Sequence, residues 1–186
     1  MSSLLKGVNL YLIGMMGAGK TTVGQEIARN LGYGFIDTDA VIAQFTQKSI
    51  NQLFAEVGEV EFRQIESKIL AEVCAYTNLA IATGGGIVTQ QKNWSYLRHG
   101  LIVWLDVPTE VLYQRLAGDN TRPLLQDADL LAKLQLILQE RRSLYKQADL
   151  HISVSAEETA AQIAARIMTE IPTVLKPEAS PPLSNS

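Results

Sequence analysis

The sequence predicts a three-layer α/β domain, in which a parallel sheet is covered by helices on both faces. Two patterns lead to this prediction. Short apolar runs alternate with helical patterns along the chain, and several of the runs are apolar throughout, as strands buried on both faces are. The length of 186 residues suits one domain with one hydrophobic core.

Five short runs have the composition of strands. They cover residues 8–13, 35–37, 79–82, 101–107 and 151–154. Ligands of parallel sheets bind beyond the carboxyl ends of the strands. The residues that follow these runs are therefore the first candidates for a functional site.

The intervals between the strands carry helical patterns with recognisable ends. Ser49 and Thr89 are typical caps, Gly58 is typical of a helix stop, and Pro108 suits a first helical position. The helices are predicted over residues 21–31, 49–58, 59–76 and 89–100, from residue 108, over residues 128–146, and from about residue 156. The third of these helices carries apolar residues at Ile65, Ile69, Val73 and Tyr76.

Composition argues against several classes of binding partner and cellular location. The formal net charge is -3 and no Lys/Arg-rich block occurs, so nucleic acid is not expected. No apolar run approaches the ~20 residues that span a bilayer, and the first residues, MSSLLKG, do not resemble a signal peptide. The only cysteine, Cys74, cannot form an internal disulfide, which fits a reducing compartment. We therefore expect a cytoplasmic protein with no membrane partner.

The end of the chain differs from the rest. Residues 172–186 contain four prolines among fifteen residues and show no periodicity. We expect a disordered tail there and a single domain over residues 1–171.

A phosphate-binding loop is the strongest motif. Residues 14–21, GMMGAGKT, match GxxxxGK[ST] between an apolar strand and a helix. Glycines let the backbone form an anion nest, Lys20 would reach the β- and γ-phosphates, and the Thr21 hydroxyl would bind Mg²⁺. A glycine turn that binds nothing is the alternative. GTPases, motor ATPases and small-molecule kinases share the motif, but a small chain without a guanine-reading NKxD stretch favours a kinase.

Further clusters occur in order along the chain: DTD at 37–39, FR at 62–63, GGG at 84–86, RPLL at 122–125, and Arg141 ahead of Leu144 and Tyr145. With the phosphate loop, they resemble the shikimate kinase family over about residues 9–170. The resemblance implies a monomeric domain with a five-stranded parallel sheet, a mobile lid at about residues 118–127 and a small helical substrate-binding region. It implies transfer of the γ-phosphoryl group of ATP to the 3-hydroxyl of shikimate, with one Mg²⁺ ion per subunit, on the route to chorismate.

The resemblance also implies an acceptor site. Arginine fits a carboxylate with two parallel donors, and Arg63 and Arg141 match the family's carboxylate clamp, although the adjacent Arg142 leaves the second assignment open. Arg63 alone would also suit an exposed helix face, and Glu66 could hold it in place. Asp39 matches the residue that holds the reacting hydroxyl, a role for which an ordinary pKa suffices. The substrate-binding residues implied are Asp39, Arg63, Gly84, Gly85, Gly86 and Arg141.

On the nucleotide side, the resemblance implies that Arg122 neutralises charge on the transferring phosphoryl group and that Arg115 packs over the adenine. Asp37 would hold Mg²⁺ together with Thr21, although Asp-Thr-Asp is also typical of a helix cap. The nucleotide-binding residues implied are Gly17, Ala18, Gly19, Lys20, Thr21, Thr22, Arg115 and Arg122. Lys20, Asp39 and Arg122 are the expected catalytic residues.

Three other functions remain open on the residues alone. A kinase for another polyol acid, such as gluconate, would share the phosphate loop and the fold. A non-catalytic relative would be expected to lack Lys20, Asp39 or a clamp arginine, and all are present. A regulatory ATPase or GTPase switch would need a water-positioning residue, and the sequence identifies none.

Overall fold

The computed structural model describes residues 4–117 and 129–175. In this part of the chain, five strands form one parallel sheet in the order β2-β3-β1-β4-β5. The strands are β1 (Leu10–Ile13), β2 (Gly34–Asp37), β3 (Leu79–Ala82), β4 (Leu101–Asp106) and β5 (Leu150–Ser153). Each of the five predicted strands is present, and the predicted five-stranded parallel sheet is confirmed.

The register of the sheet brings the carboxyl ends of β1, β2 and β3 to the same level. Leu12 of β1 and Asp37 of β2 both lie beside Ala82 of β3, and Ile13 lies beside Trp104 of β4. All pairs are parallel, so the segments that follow β1, β2 and β3 emerge at the same edge. This edge holds the phosphate loop, the DTD run and the three glycines.

Helices pack around the sheet, and β1 is buried along its whole length. They are α1 (Lys20–Leu31), α2 (Thr38–Thr46), α3 (Ile50–Val73), α4 (Gln91–Leu97), α5 (Thr109–Ala117), α6 (Leu130–Tyr145) and α7 (Ala160–Val174), with a short 3₁₀ turn at Ile87–Thr89. Trp94 and Trp104 lie in the core, at 5% and 0% exposure. No helix in the described ranges is long and apolar enough to cross a membrane.

Helix α3 joins the two helices that were predicted over residues 49–58 and 59–76. Ser49 caps it, with a reciprocal bond pair to Gln52. Gly58 adopts φ 78° and ψ 172°, which is not helical, so the predicted stop is confirmed and a kink at Gly58 separates the two helical parts of α3. The predicted apolar stripe is wrong at its end, because Tyr76 lies beyond α3 and is 66% exposed.

Two other helix starts differ from the prediction. Thr89 does not cap a helix; its hydroxyl donates to the Gly86 carbonyl at 2.8 Å and closes the 3₁₀ turn, and α4 begins after Gln90. Helix α7 begins at Ala160 rather than near residue 156, because Thr159 and Gln162 form a capping box there.

The end of the domain also differs. Helix α7 continues through Pro172 to Val174, so residues 172–174, predicted as tail, are helical. A proline near the end of a helix removes one N–H donor, but fully buried Ile171 anchors the last turn and accepts from Leu175 N. The predicted lid at 118–127 and the tail from residue 176 lie outside the described residues.

Candidate active site

The phosphate loop connects β1 to α1 with a backbone that favours anion binding. Gly19, which precedes α1, has φ 91°, a left-handed conformation that glycine adopts without strain. No side chain caps the helix at this position. The N–H groups of the first turn are therefore not covered by a cap, at the end of a helix where anions are favoured.

Lys20 lies within this loop and is 8% exposed. Its Nζ donates to the carbonyl oxygens of Gly14 and Met15, at 2.8 Å each. Neutral carbonyls of the loop thus hold the cation next to the nest. A phosphate oxygen offers such an ammonium a charge-assisted bond, which is the stronger kind.

Thr21 and Asp37 meet at the edge of the sheet. The Thr21 hydroxyl donates to Asp37 Oδ2 at 2.6 Å, while Asp37 Oδ1 accepts from the N–H of Asp39 and caps α2. The cap interpretation of the DTD run is therefore confirmed at Asp37, and it leaves the other carboxylate oxygen with Thr21. One hydroxyl and one carboxylate suit Mg²⁺, which takes few protein ligands when phosphates supply the rest. In the described ranges, no group of three or more His, Cys, Asp or Glu could hold a metal by itself.

Arg63 and Glu66 form a buried ion pair on one face of α3. Their side chains are 11% and 1% exposed, and Nη1 lies 2.8 Å from Oε2. The prediction that Glu66 holds Arg63 is confirmed. Within the described residues, Arg63 Nε and Glu66 Oε1 are buried without a hydrogen-bond partner. Buried polar groups are rarely left unpaired, so this pocket has unused capacity for a polar ligand.

Charges from three helices converge on Glu66. Burial raises its pKa, the neighbouring Arg63 guanidinium lowers it, the Asp39 carboxylate raises it, and Arg141 lowers it. These influences place one acid of α2, one arginine of α3 and one arginine of α6 around a single carboxylate. The site therefore offers two cations and two acids in a largely dry environment.

Arg141 and Arg142 point in different directions. Arg141 is close enough to lower the pKa of Tyr145, which burial raises. Arg142 lies over the Trp104 ring and its Nη2 is 3.3 Å from Asp106 Oδ2. Successive residues of a helix differ by about 100° in direction, so only one of the two can face the cluster. Arg141 is that residue.

The three glycines fit closely between these groups. A Cβ on Gly84 would lie against the carboxylates of Glu66 and Asp39, and one on Gly86 would overlap the Arg63 guanidinium. A Cβ on Gly85 would stand 3.3 Å from Met16 N of the phosphate loop. The turn therefore touches the acceptor cluster on two residues and the phosphate loop on the third.

Two residues of this region were not among the predicted site residues. The Thr38 hydroxyl, fully buried, accepts from Gly84 N at 3.2 Å, and the Tyr145 hydroxyl donates to the Gly85 carbonyl at 2.7 Å. No local pattern predicts either contact, because the partners are 46 and 60 residues apart in the chain.

A cavity of about 200 Å³ adjoins the phosphate loop. It is lined by Gly17, Ala18, Gly19, Thr22, Val23, Arg115, Glu158, Ala160 and Ile163. Arg115 Nη1 donates to the Gly17 carbonyl at 3.1 Å, so this arginine lies beside the phosphate loop. Arg122 lies outside the described residues.

Glu158 was missed by the sequence analysis. Its carboxylate accepts from Ser155 N at 2.8 Å and pairs with Arg166, which also donates to the Ser153 carbonyl. A Ser followed three residues later by Glu is half of a capping box, and this spacing could have identified the residue.

Comparisons with known proteins agree on one family. A family model described as shikimate kinase matches residues 16–172. The shikimate kinase of Nostoc punctiforme is 68% identical over 180 residues, which cover 97% of this chain and 99% of the relative, and that of Trichormus variabilis is 68% identical over 176 residues, which cover 95% and 97%.

Solved structures show the same likeness. A shikimate kinase from Acinetobacter baumannii in complex with shikimate superposes with a TM-score of 0.83 and 37% identity, over 93% of this chain and 97% of that one. A gluconokinase from Sinorhizobium meliloti, at 17% identity and a TM-score of 0.55 over 90% and 93% of the two chains, shares the fold alone.

Proposed function

The chain belongs to the shikimate kinase family, and we propose that the residues gathered at the carboxyl edge of its sheet carry out that family's reaction. The enzyme transfers the γ-phosphoryl group of ATP to the 3-hydroxyl of shikimate, giving shikimate 3-phosphate and ADP on the route to the aromatic amino acids. The observation that supports these residue roles best is the buried Arg63–Glu66 pair beside the phosphate loop.

For the nucleotide, we assign binding to the loop backbone at Gly17, Ala18 and Gly19 and to Lys20 and Thr22. Lys20 exchanges the carbonyls of Gly14 and Met15 for the β- and γ-phosphate oxygens, because an anion is a better acceptor than a neutral carbonyl. Arg115 covers the base, next to the cavity that it lines with Thr22.

We further propose that one Mg²⁺ ion binds per chain, at Thr21 and Asp37. Their hydroxyl and carboxylate oxygens are adjacent at 2.6 Å and are the hard donors this ion prefers. When bound, the ion neutralises charge on the β- and γ-phosphates. A titration with EDTA in the assay below should abolish ADP release, and restored activity on adding excess Mg²⁺ would identify the metal.

For the acceptor, Arg63 and Arg141 bind the carboxylate as parallel donors, and the turn formed by Gly84, Gly85 and Gly86 contacts the ring substituents. Asp39 holds the reacting hydroxyl in line with the γ-phosphate and accepts its proton. Bond breaking is far advanced in phosphoryl transfer, so position contributes more than basicity. The close packing of Gly84 against Asp39 supports this arrangement.

We also assign Arg122, on resemblance alone, to charge neutralisation on the transferring phosphoryl group. An arginine in that role contributes about 10³–10⁵ in kcat in other phosphoryl-transfer enzymes. Arg122→Ala should therefore lower kcat far more than it raises either KM. A change confined to the KM for ATP would instead make Arg122 a binding residue.

The decisive experiment is ADP release from MgATP with shikimate, with gluconate and with no acceptor. We expect release that depends on shikimate alone. Release with gluconate alone would overturn the acceptor assignment, and release without any acceptor would indicate an ATPase. Mass spectrometry of the product should show one added phosphoryl group on shikimate.

We propose that the enzyme acts as a cytoplasmic monomer. A monomer is what the family resemblance implies. Sedimentation equilibrium should give the mass of one 20.4 kDa chain. A stable dimer would contradict the monomer proposal without affecting the residue assignments.

A further inference from the structure

Tyr145 lies between the phosphate loop and the glycine turn of the acceptor site, and it was not among the residues predicted for either. It is the last residue of α6, is fully buried, and stacks on Trp104 with 5.7 Å between ring centroids. Its hydroxyl donates to the Gly85 carbonyl at 2.7 Å and lies 3.8 Å from Met15 Sδ in the phosphate loop. A rigid ring thus holds a single polar atom at the point where the glycine turn meets the loop.

This hydrogen bond determines the direction of a peptide unit. In a trans peptide, the C=O and N–H groups point in opposite directions. The bond from Tyr145 to the Gly85 carbonyl therefore directs the N–H of Gly86 away from Tyr145. In the part of the chain that the structure describes, no backbone carbonyl of the turns and loops accepts from that N–H.

The glycine turn cannot fix this orientation by itself. Glycine populates both signs of φ with little steric cost, so a peptide between two glycines can rotate more readily than any other. Gly86 is buried, and Arg63 packs directly against it. A rotated peptide would present a carbonyl oxygen where a ligand carboxylate or hydroxyl needs a donor.

We propose that Tyr145 is a positioning residue for the acceptor, because its hydroxyl holds the Gly85–Gly86 peptide with the Gly86 N–H directed into the acceptor site. This inference rests on the proposed function, in which the glycine turn contacts shikimate. Tyr145 and Arg141 are four residues apart on one face of α6, so the same anchor also steadies the turn from which Arg141 projects.

Tyr145→Phe tests the inference, because it removes only the hydroxyl and keeps the ring that stacks on Trp104. Tyr11→Phe is the matched control. Tyr11 is also fully buried, and its hydroxyl bonds to Cys74 Sγ at 3.0 Å rather than to the glycine turn. Tyr11→Phe also removes a hydrogen-bonding hydroxyl from a buried ring, so it controls for a general loss of stability.

Initial rates should be measured against shikimate and against ATP, with the thermal midpoint of each variant. We expect Tyr145→Phe to raise the KM for shikimate about three- to tenfold, the range that one hydrogen bond supplies. The KM for ATP should stay within twofold, and Tyr11→Phe should change neither KM. An unchanged KM for shikimate in Tyr145→Phe, or equal changes in the two variants, would overturn the inference.

A measurement on the unmodified enzyme makes the test independent of how the variants fold. Shikimate added to ¹⁵N-labelled protein should shift the Gly86 amide proton downfield, as a newly formed hydrogen bond does. A Gly86 amide that does not respond while the enzyme binds shikimate overturns the inference alone. A wild-type enzyme that fails to phosphorylate shikimate overturns the proposed function and this inference with it.

Discussion

The nucleotide half and the acceptor half of the site are built in different ways. One continuous stretch, residues 14–22, supplies most of the nucleotide half, largely through its backbone. The acceptor half takes single side chains from α2, α3 and α6 and adds the turn after β3. The nucleotide half can be recognised from one continuous motif, because its backbone supplies the contacts. The acceptor half forms only after helices that are distant in sequence have packed together.

The two halves also differ in electrostatics. In the nucleotide half, the buried cation of Lys20 is held by neutral backbone carbonyls, whereas in the acceptor half the buried charges of Arg63 and Glu66 pair with each other. Removing two charges from water costs several kcal/mol each, and their attraction often does no more than offset it. A buried pair with unpaired polar atoms therefore contributes little to folding, and we interpret it as a preformed binding site.

Among the residues that the structure describes, Lys20→Ala should have the largest effect, and it should act on the nucleotide half. We expect kcat to fall about 10²–10³-fold, the usual loss when one stabilising donor is removed from a transition state. Circular dichroism should be unchanged, because the Lys20 ammonium bonds to carbonyls of its own loop and contributes little to the hydrophobic core. Lys48→Ala, which removes an exposed pair with Glu56, is the control and should retain full activity. Equal loss in both variants would contradict a specific role for Lys20.

Asp39→Asn should have the next largest effect, on the acceptor half. The amide keeps the shape of the side chain but cannot accept the proton, so kcat should fall about 10²-fold, at the low end for a general base. Calorimetry should show ATP bound as tightly as by the wild type. Weaker ATP binding would show that the two halves are not separable at this residue.

Arg141→Ala and Arg142→Ala should separate two adjacent residues. Loss of a charge-assisted bond from Arg141 should raise the KM for shikimate about 10- to 100-fold and leave the KM for ATP unchanged. Arg142 pairs with Asp106 while 47% exposed, and such pairs contribute little, so its variant should stay within about twofold. The opposite result would assign the clamp to Arg142.

Deletion of residues 176–186 should have the smallest effect and should alter neither half. The last buried residue of α7 is Ile171, so we expect both KM values and the thermal midpoint to be unchanged. A deletion that starts at residue 170 is the informative comparison, since it removes the fully buried Ile171 and should cost about 2–5 kcal/mol. A lower midpoint in the shorter deletion would show that the tail packs on the domain.

Much of the fold could be predicted because hydrophobic patterning determines it. Strands β1, β3 and β4 are nearly continuous apolar runs, and the sheet buries them on both faces. Helix α2 was not predicted as a separate element. It begins directly after β2, and Asp37 is both the last strand residue and the helix cap, so no loop marks the boundary.

The error in α3 has a functional cause. The sequence indicated a stripe through Ile65, Ile69 and Val73, but the buried positions between Gly58 and Val73 are Phe62, Glu66, Ser67 and Leu70. Periodicity counts a glutamate as polar and places it at the surface. Here an arginine partner allows the glutamate to be buried, so the pattern fails where the site needs a charge.

The candidate site shows the same limit. The phosphate loop and the pairing of Arg63 with Glu66 are local in sequence, and both could be predicted. The choice between Arg141 and Arg142 depends on the rotation of α6 against the sheet. The contacts of Thr38 and Tyr145 depend on chain segments that meet only after folding, and no local pattern encodes them.

The glycine turn acts as a spacer of fixed length between the nucleotide site and the acceptor site. Gly85 packs against the phosphate loop and Gly86 packs against Arg63. The covalent geometry of the backbone between them therefore sets the distance between the two sites. A spacer without side chains has no rotamers to change. With the roles proposed above, heating should weaken the contact between Arg63 and the shikimate carboxylate before it changes the distance between the two sites. The affinity for shikimate should therefore decline at a lower temperature than kcat.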